Sequence, residues 1–312
     1  MNPIRNILVI VDPTASLQPA IDKAAVLAEK FSARLDLFVC DTKAAWNARH
    51  AQYASDRGRG APLTDVKPLV EGLAEPLRKR GIDVTTEAIT ADPLAAALLE
   101  RVKRTCADLV VKDTHHHTVA HRTLLTNTDW ELIRGCPVPL LLTKPRAWSQ
   151  QPCICAAVDP GHRDDKPVLL DRCILDLAST VANKLHGPLH VLHAYIPTAM
   201  VATAVGSMPP MVMDVSPELL TNERNNKQKE LTALVSDYGV PSENVHLEMG
   251  GTRDALCRLA HELNADVMTM GAVSRSAVKR VFIGSTAEMV LEQLPCDALV
   301  VKGPNFSELL VL

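Results

Sequence analysis

The stretch "ILVIVDP" at residues 7–13 returns as "ICAAVDP" at residues 154–160, and this repeat decides how the chain is organised. A second pair follows in the same order, with "ADLVVKD" at 107–113 and "ADVMTMG" at 265–271. The period is close to half of the 312-residue chain, far longer than the unit of a solenoid. Each copy is therefore predicted to be a whole domain, and the chain a tandem duplication.

Within each half, short apolar runs alternate with helical patterns. The first half runs from "NILVIVD" through the amphipathic "QPAIDKAAVLAEKFSA" to "RLDLFVCD", and the same alternation continues to "PLLLTK". Strand and helix in regular alternation predict the α/β class, with two tandem doubly wound five-stranded parallel sheets. The polar stretch 145–152, "PRAWSQQP", is the predicted linker between domains at 1–146 and 151–305.

Composition excludes several classes of protein. The chain is 47% hydrophobic and 22% charged, with a formal net charge of −3, so it has neither a basic field for nucleic acid nor a disordered profile. No run approaches the length of a membrane-spanning helix, and the opening "MNPIRNILVIVDP" is too short for a secretory signal. A cytoplasmic protein is expected. The eight cysteines form no C-x-x-C pair, which predicts reduced, mostly buried thiols.

The segment that carries most chemical information is "GAVSRSAVKRVFIGSTAE", residues 271–288. Gly271 ends a predicted strand where a ligand can approach the backbone closely, and Gly284, Ser285 and Thr286 open a helix. Amide hydrogens and hydroxyls at a helix N-terminus form a natural phosphate cradle. A second interpretation stays open, in which this is a glycine-terminated strand, a solvated basic loop and a capped helix. The basic side chains able to neutralise phosphate are Arg275, Lys279 and Arg280.

This segment resembles the nucleotide-binding loop of the universal stress protein family, which reads G-x2-G-x9-G-[S/T] after the fourth strand. Here Ser274 stands in place of the second glycine, and "AEMVLEQLPCDALVVK" resembles the closing helix and fifth strand of the family. The resemblance spans both halves and implies an adenine nucleotide alpha hydrolase-like fold. It also implies that the two domains pack through their final strands as an intramolecular pseudo-dimer, which would protect two sheet edges. Whether the chain forms a further homo-oligomer stays open.

The resemblance further implies a site for ATP or another adenine nucleotide in the second domain. The family uses an aspartate after the first strand, a backbone position on the second strand, and the loop just described. The matching residues in this chain are Asp159, Val191, Gly271, Ser274, Arg275, Gly284, Ser285 and Thr286.

In the first half the equivalent stretch is "DTHHHTVAHRTLLTNTDW". Asp113 stands where Gly271 stands, and His116 where Ser274 stands. We expect the Asp113 carboxylate to point into the would-be phosphate loop and to repel a nucleotide unless a metal intervenes. The first half is therefore predicted not to bind a nucleotide in the manner of the family.

Clustered histidines in the same stretch suggest a second kind of site. His115 and His117 lie two residues apart, so that both rings face one point in an extended segment, and His121 follows one helical turn later. Imidazole is a common zinc ligand, and Asp113 could complete a tetrahedron. The alternative is a polar loop with solvated histidines.

Three functions remain open from the sequence. The first is a stress-response regulator or sensor whose second domain binds ATP or a related ligand. The second is a carrier or sensor of an apolar, lipid-like metabolite, suggested by four methionines in "YIPTAMVATAVGSMPPMVMDVSP" at 195–217. The third is a weak ATPase. No G-x-S-x-G, H-E-x-x-H or Walker A pattern occurs, so dedicated catalysis and catalytic residues are not expected.

Overall fold

The fold is described from a computed structural model with side chains. The backbone is described for residues 3–13, 15, 17–42, 66–117, 122–161, 169–198, 216–271, 285–303 and 306, and the side chains for these residues except 115–117, 122–124, 285 and 286. This part of the chain falls into two compact units, residues 3–148 with 297–300 and residues 149–296 with 301–306.

The first unit is a parallel sheet with helices between its strands. Its strand order is β3-β2-β1-β4-β7, and all neighbouring pairs among these five run parallel. The elements are β1 (Asn6–Ile10), α1 (Pro19–Phe31), β2 (Arg34–Asp41), α2 (Val66–Lys79), β3 (Val84–Thr90), α3 (Leu94–Arg104), β4 (Leu109–Asp113), β5 (His115–His117), β6 (Arg122–Leu124), α4 (Asn127–Gly135) and β7 (Leu140–Thr143).

The second unit repeats this plan. Its described strands run parallel in the order β10-β9-β8-β11, which confirms the predicted α/β class with a doubly wound parallel sheet in each half. The elements are β8 (Ile154–Ala157), α5 (Leu170–Leu185), β9 (Leu189–Tyr195), α6 (Pro217–Val235), β10 (Val245–Met249), α7 (Thr252–Glu262), β11 (Val267–Gly271), α8 (Ser285–Gln293) and β12 (Asp297–Val301).

The repeated Ala-Asp pair has a structural role at the start of each central strand. In the first unit Asp108 Oδ2 accepts hydrogen bonds from the backbone N–H groups of Arg5 and Asn6, at 2.8 and 2.9 Å. In the second unit Asp266 Oδ2 accepts the N–H of Cys153 at 2.9 Å. These N–H groups precede or begin a strand and lack a ladder partner there, so the carboxylate satisfies donors that would otherwise be left open.

The central strands are buried on both faces, as a sheet covered by helices requires. In β1 the residues from Ile7 to Ile10 are all buried, and β7 is buried along its whole length. Helix α1 packs on this sheet through a face rich in small residues, so that its backbone lies close to the strands. The small residues of that face are Ala20, Ala24, Ala25 and Ala28.

Strand β12 provides a further edge to the first unit. Leu140, Leu141 and Leu142 of β7 pair antiparallel with Val300, Leu299 and Ala298 of β12. This pairing of the two final strands agrees with the expectation drawn from their exposed edges. Each strand covers the open hydrogen-bonding groups of the other.

A buried ion pair fixes the start of β12 within the first unit. Lys23 Nζ lies 2.7 Å from Asp297 Oδ2, and the two side chains are only 5% and 2% exposed. Asp297 also accepts hydrogen bonds from the N–H of Lys144 and the indole N–H of Trp148, both at 2.8 Å. Burial raises the pKa of Asp297, while Lys23 and these two donors act in the opposite direction. The carboxylate is thus matched by a cation and by two neutral donors.

Two adjacent residues of the predicted linker, Trp148 and Ser149, are anchored by hydrogen bonds. Trp148 is bonded to Asp297 within the first unit, and in the second unit Ser149 donates through its backbone N–H and its hydroxyl to Asp266. No helix in the described part of the chain is long and apolar enough to cross a bilayer. All eight cysteines fall within the described residues, and none forms a disulfide.

We predict that Lys23→Met lowers the free energy of unfolding of the first unit by about 3 kcal/mol, because it leaves the Asp297 carboxylate buried without its cation. Denaturant unfolding followed by circular dichroism measures the change. Lys79→Met is the matched control, since Lys79 and its partner Glu75 are 72% and 65% exposed and an exposed pair contributes less than about 1 kcal/mol. Equal losses in the two variants would contradict the role given to Asp297.

Candidate functional site

The candidate site lies at the carboxyl ends of the strands in the second unit, where doubly wound sheets bind their ligands. Asp159 follows β8 by two residues, Gly271 is the last residue of β11, and α8 begins at Ser285. The predicted residues Ser274, Arg275 and Gly284 fall outside the described residues. Ser285 and Thr286 are described as backbone in the first turn of α8.

The Asp159 side chain is partly exposed to solvent just after β8. Its side chain is 42% exposed, and its backbone N–H donates to Asp171 Oδ1 at 3.1 Å in the first turn of α5. Its Oδ1 lies 3.7 Å from Nδ1 of the buried His193. That ring nitrogen is also 3.1 Å from the carbonyl oxygen of Val158, which can only accept, so Nδ1 carries the proton. The carboxylate is consequently held in place by backbone and ring contacts beneath it.

Val191 does not lie beside Asp159. It is fully buried and pairs in register with Ala156 and Val245, in the interior of the sheet and three residues before Asp159 along β8. The β9 side chain that reaches Asp159 is His193. Sequence reasoning missed this residue, although the alternation in "LHVLHAY" places it on the same side of β9 as Val191 and one step nearer the strand end.

Gly271 has a packing role that the sequence did not reveal. A Cβ atom at this position would lie 2.7 Å from Cδ2 of Leu170, the first residue of α5. The absence of a side chain at Gly271 therefore lets the start of α5 approach the end of β11.

A cation missed by the sequence analysis stands near the loop after β8. The Lys227 ammonium of α6 lies so close to Gly161 that a Cβ there would collide with its Nζ atom. Lys227 is 21% exposed, and its Nζ is 3.7 Å from Glu230. The polar sequence "NERNNKQKE" of α6 gave no signal that would single this lysine out.

The equivalent edge of the first unit is closed by the protein's own carboxylate. Asp113 Oδ1 accepts the backbone N–H of Ala20 at 2.7 Å, in the first turn of α1, and the hydroxyl of Thr143 at 2.6 Å. The expectation that Asp113 points into the phosphate loop is wrong, because these two donors draw the carboxylate toward α1. Burial raises the pKa of Asp113, and the bonds from Thr143 and Ala20 oppose that shift.

The N-terminus of α4, which corresponds to that of α8, is also satisfied internally. Thr126 Oγ1 accepts the N–H of Asp129 at 3.2 Å, and Asp129 Oδ2 accepts the N–H of Thr126 at 2.7 Å, a complete capping box. Lys112 Nζ lies 2.7 Å from Asp129 Oδ1. A buried carboxylate with its own lysine thus stands where an anionic ligand would have to enter.

The histidine stretch forms a hairpin rather than a loop. His115–His117 pairs antiparallel with Arg122–Leu124 in a separate two-stranded sheet. His121 and the side chains of His115 and His117 lie outside the description, so the zinc site stays a prediction. Elsewhere among the described side chains, no group of three or more His, Cys, Asp or Glu is placed to hold a metal.

Comparison with known proteins divides the chain into two similar parts, as the structure does. The family model for the universal stress protein family matches the chain twice, over residues 3–144 and 154–302. The chain belongs to the universal stress protein family. Membership implies a role in the stress response, and the double match agrees with two family domains in tandem.

Several relatives match this chain along nearly their whole length. Universal stress protein E of Escherichia coli K12 is 24% identical over 305 residues, covering 97% of this chain and 95% of the relative. Universal stress protein E of Photorhabdus laumondii is 24% identical over 306 residues, covering 97% and 96%. A solved structure of a functionally unknown protein from Pseudomonas aeruginosa PAO1 is 26% identical, with a TM-score of 0.77 and coverage of 98% and 95%.

We predict that Gly271→Ala destabilises the second unit by about 1–2 kcal/mol, because its Cβ must displace Leu170. In a Leu170→Ala background the same change should cost less than about 0.5 kcal/mol, so a double-mutant cycle on unfolding free energies isolates the contact. Gly72→Ala is the matched control: a Cβ at Gly72 meets no atom within 4 Å, and alanine in a helix adds about 0.5–1 kcal/mol of stability. An unchanged cost in the Leu170→Ala background would refute the packing role.

Proposed function

We propose that the second unit of this universal stress protein binds ATP or a related adenine nucleotide at the carboxyl ends of its strands. The bound nucleotide would act as a regulatory signal in the stress response, without dedicated catalysis. The first unit would bind no nucleotide at the corresponding edge.

The observation that carries the proposal is the contrast between Gly271 and Asp113 at the ends of the equivalent strands β11 and β4. In the first unit a carboxylate occupies this position and takes the N–H of Ala20 at the start of α1. In the second unit the position has no side chain, and the chain returns to open α8 at Ser285. Glu288 lies in the first turn of α8, but position 271 carries no carboxylate, and the backbone N–H groups at a helix N-terminus suit a phosphate.

Charged side chains near the carboxyl ends of the second unit's strands are suited to binding a nucleotide. The exposed carboxylate of Asp159 is suited to accept hydrogen bonds from ribose hydroxyls, because an ionised carboxylate only accepts. Phosphates would lie toward the N-terminus of α8, with Arg275 as the predicted cation of the loop. The Lys227 ammonium beside Gly161, two residues after Asp159 in the chain, offers a second positive charge.

A regulatory role is favoured over catalysis by how the polar groups near Asp159 are used. The backbone N–H of Asp159 is bonded to Asp171, and Nδ1 of His193 is directed to the Val158 carbonyl. These groups build the site rather than stand ready for proton transfer. The apolar-ligand hypothesis rests on Met200, Met208, Met211 and Met213, which lie outside the described residues, so no structural observation supports it.

The test compares Gly271→Asp with Gly271→Asn by titration calorimetry of the full chain with ATP and Mg²⁺. The two side chains have the same size, so their difference isolates charge. We expect Gly271→Asp to weaken binding at least about tenfold more than Gly271→Asn, because an added negative charge at the end of β11 repels the phosphates even if the side chain turns toward the start of α5. Nucleotide recovered after the titration should be intact ATP.

Asp113→Asn is the matched control in the first unit and should leave ATP affinity unchanged. Thermal unfolding of each variant verifies that it is folded. Failure of the wild-type chain to bind ATP at millimolar concentration would refute the proposal. Equal affinities of Gly271→Asp and Gly271→Asn would place the phosphates elsewhere.

A further inference from the structure

Two cysteines and two histidines gather at the amino end of the second unit's sheet, away from the nucleotide edge. Cys153 immediately precedes β8, and Cys155 lies two residues further along it. Cys155 pairs in register with His190 of β9, and His246 lies on the neighbouring strand β10. Because paired residues of a parallel sheet share a face, Cys155 and His190 project to the same side.

These four side chains form a connected chain of contacts. The Cys153 sulfur lies within hydrogen-bonding reach of the Cys155 thiol and of the His190 ring. His190 Nδ1 lies 3.0 Å from His246 Nε2, and the two rings are stacked with centroids 5.3 Å apart. Cys153 is 8% exposed and Cys155 is fully buried. Cys153 is thus the less buried of the two cysteines, and both Cys155 and His190 contact its sulfur.

The first unit fills the equivalent positions with an ion-pair network. Leu8 pairs with Asp36 as Cys155 pairs with His190, and Phe38 pairs with Glu87 as Leu192 pairs with His246. In that unit Asp36 and Glu87 are bridged by Arg101, which lies 2.6 Å from Asp36 Oδ1. The buried Asp36 carboxylate is thus matched by the Arg101 guanidinium through an ion pair and hydrogen bonds.

The second unit lacks, at the equivalent positions, the charged residues that would form such an ion-pair network. The offset of 158 residues between "ADLVVKD" and "ADVMTMG" places Leu259 at the position of Arg101. The two acids are replaced by His190 and His246, and Asn6 and Leu8 by Cys153 and Cys155. A stabilising ion network has therefore been exchanged for nucleophilic and imidazole groups at the same end of the sheet.

We propose that Cys153 and Cys155 form a peroxide-reactive thiol pair, in which Cys153 is oxidised first and Cys155 closes a reversible intrastrand disulfide. This modification site is separate from the nucleotide edge and does not depend on the function proposed above.

The reaction is balanced with hydrogen peroxide as the oxidant. The Cys153 thiolate attacks one peroxide oxygen, the O–O bond breaks, and hydroxide leaves and becomes water on protonation. Cys153 is now a sulfenic acid. The Cys155 sulfur then attacks the Cys153 sulfur, an S–S bond forms, and the sulfenic hydroxyl leaves as a second water with the Cys155 proton. Two thiols are oxidised, one peroxide is reduced, and two waters form.

The surroundings favour Cys153 as the attacking group. Hydrogen bonds from Cys155 and His190 hold the pKa of the Cys153 thiol well below its usual range, although burial opposes them. The same contact with Cys153, together with burial, raises the pKa of Cys155, so that the pair shares one proton. Burial and His190 lower the pKa of His246, which leaves its ring neutral and able to accept from His190. This arrangement is a thiolate, an imidazole and an orienting partner.

The geometry permits a disulfide with little rearrangement. Residues two apart on a strand have Cα atoms about 6.6 Å apart, near the upper limit of about 6.8 Å for disulfides. Cys153 lies just outside β8, and its backbone is anchored by hydrogen bonds to Asp266 and Val267, so the two side chains must close the distance largely by rotation. A bond at this limit is strained and easily reduced by thiols, which suits reversible oxidation.

A zinc ion is the other chemistry that two cysteines and two histidines suggest. The described side chains contain no group of three or more such ligands placed around one point. Direct contact of His190 with His246 also engages a ring nitrogen that a metal would need. The contacts therefore favour thiol chemistry.

The test treats the full reduced chain with hydrogen peroxide at pH 6.5 and follows each cysteine by peptide mass spectrometry. We expect the wild-type chain to lose two hydrogens within the peptide that carries Cys153 and Cys155, and to regain them with dithiothreitol. The exposed Cys106 is the internal control, and Cys153 should be oxidised at least about tenfold faster, since an ordinary thiol is protonated at this pH. Because this comparison uses no variant, it does not depend on the folding of a mutant.

Variants then separate the roles of the two sulfurs. Cys155→Ser should accumulate a sulfenic acid at Cys153 that dimedone traps, whereas Cys153→Ser should leave Cys155 unmodified. His190→Ala should make the oxidation rate of Cys153 rise with pH between 6 and 8, where the wild-type rate stays level. Oxidation of Cys106 ahead of Cys153, or no dimedone adduct in folded Cys155→Ser, would overturn the proposal.

Discussion

The buried carboxylate of Asp297 is the constraint on which the arrangement of the first unit depends. A charge that is 2% exposed must be matched by a cation and by hydrogen-bond donors. The ion pair comes from Lys23 on α1, and two further donors come from Lys144 and Trp148. Strand β12 is thereby fixed beside β7, and an edge that would otherwise invite association is covered. Asp297 thus anchors the strand that pairs with β7.

The two copies of the fold treat their ligand edges in opposite ways. In the first unit one oxygen of Asp113 accepts hydrogen bonds from the α1 backbone and from Thr143, and a capping box closes α4. In the second unit the equivalent strand ends in Gly271, and Asp159 remains exposed above a buried histidine. The equivalent strand end thus carries an internally bonded carboxylate in the first unit and no side chain in the second.

The fold and several site positions could be predicted from the sequence, because repeated segments and alternating strand and helix patterns are strong signals. The tandem α/β fold and the strand-end position of Asp159 followed from "ILVIVDP" and its copy "ICAAVDP", and that of Gly271 followed from "ADVMTMG". The direction of the Asp113 carboxylate could not, since it depends on Ala20 and Thr143, which are distant in sequence. Val191 was assigned from a family pattern; the register places it beside Ala156, and the β9 side chain within 4 Å of Asp159 is that of His193. The link between Leu170 and Gly271 is likewise a matter of three-dimensional packing.

The division of labour between the units is the central claim, and photolabelling with an azido derivative of ATP tests it most directly. The full chain would be labelled at increasing nucleotide concentration, digested, and the labelled peptides identified by mass spectrometry. The account predicts saturation at one nucleotide per chain, with the label confined to peptides of residues 151–305 and removed by excess ATP. Two equivalents bound per chain, or ATP-protected label on residues 1–146, would contradict it.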